Sequence, residues 1–302
     1  MSAPVANVPQ VLTAQTLIAR PDFSVATWCC TGEDAHWSEP ECPVDGRFVL
    51  VQSGCFRRRG SGGPVDHDAT VGYLGEPGER EHFAHPHGGD TCTSVQLSAS
   101  SWWQLAGEPG RSGSAAVYVD ARLELAHRRL LANGCDDPEY QLAEDLVRLV
   151  GSALRSATER PIPAGDALRP ADRRLVTQAR EAIREADAAA DGLFPLAAAL
   201  GVSPYRLSRS FSNELGVSVT RYRNRVRVGR ALELLQSGER TMADVAATLG
   251  FADQAHFSRT LREHTGYTPT TARRELRGSA SAQMSRPMSS TRTEWVSAPI
   301  AR

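Results

Sequence analysis

An arginine recurs at the corresponding position of two similar segments near the C-terminal end of the chain, and the second segment also carries a glutamine. Arg209 and Arg259 each follow a serine and each lie two positions before an apolar residue, and Gln254 lies five residues before Arg259. A guanidinium can donate two hydrogen bonds to a guanine edge, and a carboxamide can pair similarly with adenine. Guanidinium groups also bind phosphate oxygens in a bidentate manner. These residue types therefore predict recognition of a nucleic acid.

The two segments belong to an internal repeat. The offset between the copies is 49 residues at the turn glycines, Gly201 and Gly250, and 50 residues at the next apolar anchors, Leu207 and Phe257. The second copy therefore has one extra residue in its turn. Each copy predicts a short apolar helix, a glycine turn and a second helix with one apolar and one polar face. This is how a helix-turn-helix places a recognition helix in a DNA major groove.

Helical spacing separates the buried positions of the two recognition helices from the outward-facing ones. Leu207 and Phe211 anchor the first helix, and Phe257 and Leu261 anchor the second. The outward-facing residues, which we predict to contact DNA, are Tyr205, Ser208, Arg209, Ser212, Gln254, His256, Ser258, Arg259 and Arg262. His256 lies at the margin of this set. The predicted helix N-caps are Ser203, Thr241 and Asp253.

Charge is distributed unevenly along the chain. Residues 193–278 contain 13 arginines and 7 acidic residues, a net charge of +6, whereas the whole chain carries −1. The remaining residues therefore carry −7. Lysine is absent, so every basic contact to a phosphate would come from a guanidinium. A basic segment attached to an acidic body is typical of a DNA-binding protein.

A longer helix is predicted over residues 222–236, between the two copies. Its apolar residues face the two units, and four arginines lie along it: Arg223, Arg225, Arg227 and Arg230. These side chains either contact phosphates or form a solvated basic face. For Arg227 a structural role is a further alternative, because this residue lies next to the apolar stripe.

The rest of the chain changes from strand-like to helical patterns. Short runs separated by Gly and Pro turns between residues 23 and 97 predict an antiparallel barrel or sandwich. Apolar residues at helical spacing follow, between residues 119 and 154. The predicted fold class is α+β, with an N-terminal antiparallel β-barrel and an all-α C-terminal double helix-turn-helix domain. The predicted segments are a lead-in at 1–22, a sensing and dimerisation domain with two helices at 23–158, a linker at 159–170, a DNA-binding domain at 171–278 and a disordered tail at 279–302.

The C-terminal third resembles the DNA-binding domain of the AraC/XylS family of transcriptional regulators. The stretches that carry the resemblance include Ser203-x3-Leu207-Ser208-Arg209-x-Phe211, Gly250-Phe251-x-Asp253-Gln254-x2-Phe257-Ser258-Arg259 and Gly266-x-Thr268-Pro269. The chain departs from the family at Ser212 and Arg262, where Lys is usual, and at Leu261, where Phe is usual. The resemblance implies two recognition helices in successive major grooves, about 34 Å or roughly 10 bp apart.

The same resemblance implies a cupin-like N-terminal barrel that senses a ligand or mediates dimerisation. The candidate effector-binding residues are His82, His85 and His87. Together with Cys92 they could hold a divalent metal, since imidazole and thiolate suit zinc. The run lacks the glutamate that follows the paired histidines in metal-binding cupins. We therefore expect neither a bound metal nor another cofactor.

The lack of a recognisable targeting signal in this sequence favours a cytoplasmic location. The N-terminus has no charged segment followed by an apolar one, and no apolar run approaches the roughly 20 residues of a membrane span. The six cysteines are then expected to be reduced thiols. Cys29 and Cys30 are adjacent in a predicted strand, so their side chains point to opposite faces and do not form a simple joint chelate.

The leading hypothesis is a transcriptional regulator with no catalytic residues. It would bind double-stranded promoter DNA, with RNA polymerase and a small-molecule effector as candidate partners. It would not bind membranes, and it would form a homodimer through residues 118–155. The alternative is a metal- or thiol-based sensor, or a cupin enzyme, fused to a DNA-binding domain. A repair protein with a methyl-accepting cysteine would need a zinc-bound cysteine cluster, which the spacing of these cysteines does not resemble.

Overall fold

The computed structural model describes residues 11–107, 115–132, 140–162, 169–238 and 240–277. The chain divides into two compact units, and the boundary between them follows Ala116. The first unit contains an antiparallel sheet and the second is helical, which confirms the α+β fold class. Among the described helices, none combines the length and the hydropathy that crossing a membrane would require.

The sheet of the first unit is built around one long strand. The strands are β1 (Val11–Ala19), β2 (Phe23–Thr31), β3 (Gly46–Gly60), β4 (Gly63–Asp68), β5 (Val71–Gly75), β6 (His82–Ala84) and β7 (Asp90–Leu97), with β8 (Ala115–Tyr118) spanning the boundary between the units. In the sheet β1, β2, β7, β3, β4 and β5 are neighbours in that order, and β6 pairs with β3. The 15-residue β3 pairs first with β7 and then with β4. A core cluster forms on it from Val49, Val51 and Phe56 with Tyr73 of β5.

Most predicted strands are present, but the predicted lead-in at 1–22 needs correction. Residues Val11–Ala19 form β1, which pairs with β2 from Val11↔Thr31 to Ala19↔Ser24. The strand lies at the edge of the sheet order and most of its side chains are at least partly exposed. An edge strand of this kind needs no continuous apolar run, so its sequence gives a weak strand pattern. The helix α1 (Ala99–Ala106), which carries the buried Trp102, was also not predicted.

The second unit contains the two predicted helix-turn-helix copies. Its helices are α2 (Ala121–Ala132), α3 (Tyr140–Glu159), α4 (Pro170–Glu185), α5 (Leu193–Ala199), α6 (Pro204–Leu215), α7 (Val219–Ser237), α8 (Met242–Thr248), α9 (Gln254–Thr265) and α10 (Pro269–Arg277), with a 3₁₀ helix at Ala188–Asp191 before α5. The pairs α5–α6 and α8–α9 are the two copies. Their first helices are offset by 49 residues and their second helices by 50, which confirms the extra residue in the second turn. Gly201 and Gly250 adopt φ of 66° and 67°, which glycine tolerates without strain.

The helix α2 packs with the second helix-turn-helix copy, which differs from the predicted domain limits. We expected α2 and α3 to belong to the sensing domain at 23–158, yet the boundary after Ala116 groups them with the C-terminal helices. Ala121 and Leu125 of α2 join a buried cluster built from α7, α8, α9 and α10. The spacing of apolar residues identifies the buried face of a helix but not the element that covers it.

The predicted linker and tail lie mostly outside the described residues. The helix α3 ends at Glu159 and α4 begins at Pro170, and both helices lie in the second unit, so the linker at 159–170 stays a prediction. Residues 163–168 between them lie outside the described residues, as do 278–302, which include the predicted disordered tail.

Candidate nucleic-acid interface

Local hydrogen bonds fix where each recognition helix begins. The Ser203 hydroxyl accepts a hydrogen bond from the amide of Arg206 at 3.2 Å, and Pro204 is the first residue of α6. The Asp253 carboxylate accepts a hydrogen bond from the amide of His256 at 2.6 Å and caps α9. Each cap satisfies an amide that the helix itself leaves unpaired. These caps, which the sequence predicted, determine which side chains lie in the first turn of each recognition helix.

The first helix of the second copy has a reciprocal cap. The Thr241 hydroxyl accepts a hydrogen bond from the amide of Asp244 at 3.1 Å, and the Asp244 carboxylate accepts one from the amide of Thr241 at 3.2 Å. A hydrogen bond from the Thr241 hydroxyl to the Asp244 carboxylate, at 2.6 Å, together with that from the Thr241 amide, holds the pKa of Asp244 below its usual value. Thr241 is therefore the N-cap of α8, as predicted.

Each recognition helix buries one face and exposes the other. Leu207 and Phe211 in α6, and Phe257 and Leu261 in α9, are fully buried. On the opposite faces six of the predicted contact residues are exposed: Tyr205, Arg209, Ser212, Gln254, Arg259 and Arg262. Three are half-buried: Ser208, His256 and Ser258. The outward face of both helices is thus polar and carries guanidinium groups.

Three guanidinium groups on these outward faces have no partner within the described part of the chain. Arg209, Arg259 and Arg262 are exposed, and no described residue forms an ion pair or a side-chain hydrogen bond with them. Arg206, also on α6, differs because it pairs with Asp172 of α4 at 3.1 Å. The three unpartnered groups keep all their donors available for a ligand.

The four arginines of α7 named above bind other parts of the protein, a role that the sequence suggested only for Arg227. Arg225 is 3% exposed and lies 2.5 Å from the Glu124 carboxylate. Arg230 donates a hydrogen bond to the carbonyl of Arg184. Arg223 is partly exposed and pairs with Asp191 at 3.1 Å. Charge counting could not separate these internal roles from phosphate contacts, because residue type alone does not reveal the partner.

Arg227 fixes the turn of the second copy. Its guanidinium donates two hydrogen bonds to the carbonyl of Leu249, at 3.1 and 2.9 Å, and lies 3.8 Å from the centre of the Phe251 ring. Burial, together with the charge of Arg223, lowers the pKa of this guanidinium. Phe251 in turn contacts the His256 ring edge-on, with centroids 5.4 Å apart. Arg227 therefore has the structural role that the sequence left open, and His256 is partly occupied by packing.

Comparison with known proteins identifies the C-terminal segment. Residues 196–275 match a family described as "Helix-turn-helix domain". The arabinose operon regulatory proteins of Salmonella typhimurium and Escherichia coli are each 39% identical over 69 residues, 23% of this chain. The transcriptional activator RhaS of Klebsiella pneumoniae is 34% identical over 74 residues, 24% of this chain. The C-terminal segment is an AraC-type helix-turn-helix domain.

The match to these relatives covers about a quarter of this chain. The chain spans about a quarter of the length of the arabinose regulators, 25% and 24%, and 27% of RhaS. Among solved structures, fatty-acid-bound ToxT from Vibrio cholerae aligns over 86% of this chain and 97% of its own, with 12% identity and a TM-score of 0.36. The resemblance seen in the sequence is thus confirmed for the segment that carries the quoted motifs.

The candidate effector-binding histidines of the first unit have three different environments. His82 in β6 hydrogen-bonds the carbonyl of Ser38 at 3.0 Å, and His87 is exposed in a turn. His85 is buried, and its Nε2 lies 2.9 Å from Oδ1 of Asp90. Burial opposes the charge on His85, but the hydrogen bonds with Asp90 and Cys30 outweigh it and raise the pKa of this imidazole to about 9.

The sequence did not predict the partners of His85. Asp90 opens β7 and Cys30 lies near the end of β2, so both reach His85 only through the pairing of the two strands. Cys92, which the sequence offered as a possible further ligand, packs against the core cluster of Val49, Val51, Phe56 and Tyr73, and burial strongly raises the pKa of its thiol.

Proposed function

We propose that this protein is a transcriptional regulator that binds specific double-stranded DNA sites through its AraC-type domain. The helices α6 and α9 would each enter a major groove, on one face of the duplex and about one helical turn apart. The protein would act in the cytoplasm on promoter DNA, with RNA polymerase as a further partner. No step of this proposal requires catalysis.

One observation carries the proposal: the arginines of the recognition helices and those of α7 have different environments. Those on the outward faces of α6 and α9 have no partner among the described residues, whereas Arg225 and Arg227 of α7 bind other parts of the protein. Exposed guanidinium groups without a partner in the protein keep their planar fork of donors available, and that fork matches guanine edges and phosphates. Gln254, exposed at the first position of α9, adds a donor and an acceptor suited to adenine.

Footprinting tests this proposal with the full chain and the DNA that flanks its own gene, at a fixed salt concentration. We expect protection of two adjacent major grooves per protomer. Arg259→Ala should weaken specific binding roughly 5- to 150-fold, which corresponds to the loss of about 1–3 kcal/mol for a base-reading side chain. Binding to an unrelated duplex should change far less.

A matched variant separates base reading from loss of charge. Arg20 in the first unit is also exposed, and its guanidinium donates a hydrogen bond to the carbonyl of the neighbouring Ala19. Arg20→Ala removes the same charge and should change specific affinity by no more than about twofold, since exposed charges act weakly at a distance. Equal affinity of the wild type and Arg259→Ala, or an equal loss in both variants, would contradict the proposal.

We further propose that the N-terminal unit binds a small effector and that the protein forms a homodimer. For the dimer we favour α3 within the predicted segment 118–155, because α2 uses its apolar face within its own unit. Tyr140 and Val147 of α3 are 77% and 45% exposed. Light scattering at micromolar concentration should give twice the chain mass for the wild type and one chain mass for Tyr140→Ser/Val147→Ser. A monomeric wild type would refute this assignment.

A further inference from the structure

Three side chains with metal-binding atoms converge in the first unit. They are Cys30, His85 and Asp90, and they are 5%, 9% and 6% exposed. One donor atom from each lies within 4.8 Å of the other two. From this geometry we propose that the trio binds one zinc ion. The proposal concerns a site in the sheet and does not rest on DNA binding.

Backbone pairing brings the three residues together from distant parts of the chain. Cys30 in β2 lies directly opposite Asp90 in β7, and Asp90 lies opposite Gly54 of β3 on its other side. His85 is held by two backbone hydrogen bonds with Asp34, at 2.7 and 3.0 Å. The donors are therefore fixed by strand register and by an isolated bridge, not by a flexible loop alone.

The backbone at Gly89 approaches Cys30 closely. A Cβ atom at position 89 would collide with the carbonyl oxygen of Cys30, so only glycine fits there. This close approach places the start of β7 against the end of β2, where Asp90 meets Cys30. Gly89 therefore permits the contact between two of the proposed ligands.

The donor set matches zinc in both chemistry and size. Thiolate, imidazole and carboxylate are all zinc ligands, whereas magnesium and calcium select oxygen donors. With usual Zn–N and Zn–O lengths, two tetrahedral ligand atoms lie about 3.4 Å apart. His85 Nε2 and Asp90 Oδ1 are 2.9 Å apart, so binding needs a separation larger by about half an ångström. The two positive charges of the zinc ion would also balance the negative charges of the buried Cys30 thiolate and Asp90 carboxylate.

Three protein ligands leave a fourth tetrahedral position open. The His85 ring lies 6.2 Å from the ring of Phe56, which also packs against His67 and Tyr73. The open position is filled by water or by a donor atom of a bound effector. The sequence led us to expect no bound metal, and of the possible ligands weighed there, His82, His85, His87 and Cys92, only His85 belongs to this site.

Cobalt(II) provides a spectroscopic test with the full chain in reducing, metal-free buffer. We expect one Co²⁺ per chain, with intense tetrahedral d–d absorption and a thiolate-to-cobalt charge-transfer band. One equivalent of Zn²⁺ should abolish both. Cys30→Ser should remove the charge-transfer band and weaken binding at least tenfold. Asp90→Asn should weaken binding similarly, and the matched variants Cys42→Ser and His87→Asn should behave as the wild type.

X-ray absorption on the zinc-loaded wild type avoids any effect of the variants on folding. We expect one sulfur and two or three nitrogen or oxygen atoms around zinc. No stoichiometric binding, a first shell without sulfur, or a charge-transfer band that survives Cys30→Ser would overturn the proposal. Since none of these measurements uses DNA, their failure would leave the proposed regulator function untouched.

Discussion

Replacing Glu124 by glutamine tests whether a buried ion pair holds α2 on α7, the helix between the two helix-turn-helix copies. The Glu124 carboxylate is 2.5 Å from the Arg225 guanidinium and 2.7 Å from that of Arg128. Arg225 also donates a hydrogen bond to the carbonyl of Val119 at 2.6 Å. Burial alone would raise the pKa of Glu124, but the charges of Arg225 and Arg128 outweigh it and hold that pKa below its usual value.

The expected loss is about 3 kcal/mol in the free energy of unfolding. Each charge pair contributes on the order of 4 kcal/mol at an effective dielectric constant near 20, and desolvation of the carboxylate offsets several kcal/mol of this attraction. Removing one partner of a buried pair typically costs about 3–5 kcal/mol, because the other charge stays buried. Glutamine keeps the shape and one acceptor, so we take the lower end. For a unit of this size the melting temperature should fall by roughly 6–12 °C.

The matched control is Glu233→Gln. Glu233 pairs with the same Arg128, at 3.2 Å, but its side chain is 61% exposed. An exposed pair contributes about 0–1 kcal/mol, so this variant should unfold almost as the wild type does. Because both glutamates pair with Arg128, the difference in unfolding free energy between the two variants should reflect the burial of Glu124.

Two optical signals separate the units in a urea titration. Most of the helix lies in α2–α10, so circular dichroism at 222 nm follows the second unit. Four of the five tryptophans, at positions 28, 37, 102 and 103, lie before residue 117 and report on the first unit by fluorescence. Glu124→Gln should shift the dichroism transition and leave the fluorescence transition in place. A loss below about 1 kcal/mol, or one equal to that of Glu233→Gln, would refute the reasoning.

Three further predictions concern the same unit. His127 is buried and its pKa is lowered to about 4, mainly by desolvation. Between about pH 6.5 and 4 the unfolded state therefore binds more protons than the folded state does. The free energy of unfolding should fall by about 3 kcal/mol as the pH falls through that window. Urea titrations at stepped pH should give a flatter profile for His127→Asn. A Cβ at Gly229 would lie 2.8 Å from Nη1 of Arg225, so Gly229→Ala should lower the melting temperature although alanine favours helices. Arg227→Ala should cost about 2–3 kcal/mol by dichroism and Arg227→Lys about half of that, because lysine keeps the charge but not the planar pair of donors.

The helix-turn-helix copies were predictable because the residues that determine their structure are close together along the chain. Glycine turns, capping residues and apolar anchors lie within a dozen residues of one another, and their physical roles depend on neighbours along the chain. Ser203, Asp253, Leu207 and Phe257 accordingly have the roles that the sequence predicted. The polar faces of α6 and α9 follow directly from the same spacing.

Features that depend on distant pairing were not predictable. The pairing of β1 with β2, the position of α2 and the meeting of Cys30 with Asp90 all require knowledge of which elements lie side by side. A shift of one residue in the register of β2 and β7 would turn Cys30 away from Asp90. No property of either residue in the sequence specifies that register. The candidate metal site therefore emerged only with the fold.

The arginines of the C-terminal segment illustrate how one residue type serves two purposes. A net charge of +6 on residues 193–278 predicted a DNA-binding segment but left the role of each arginine open. In the structure, Arg225 and Arg227 bind a carboxylate and a carbonyl of the protein, while Arg209 and Arg259 stay exposed. Because the bound guanidiniums position α2 and the second turn, they can influence the orientation of α9 without touching DNA. Specificity would then depend on both sets, one by contact and the other by alignment.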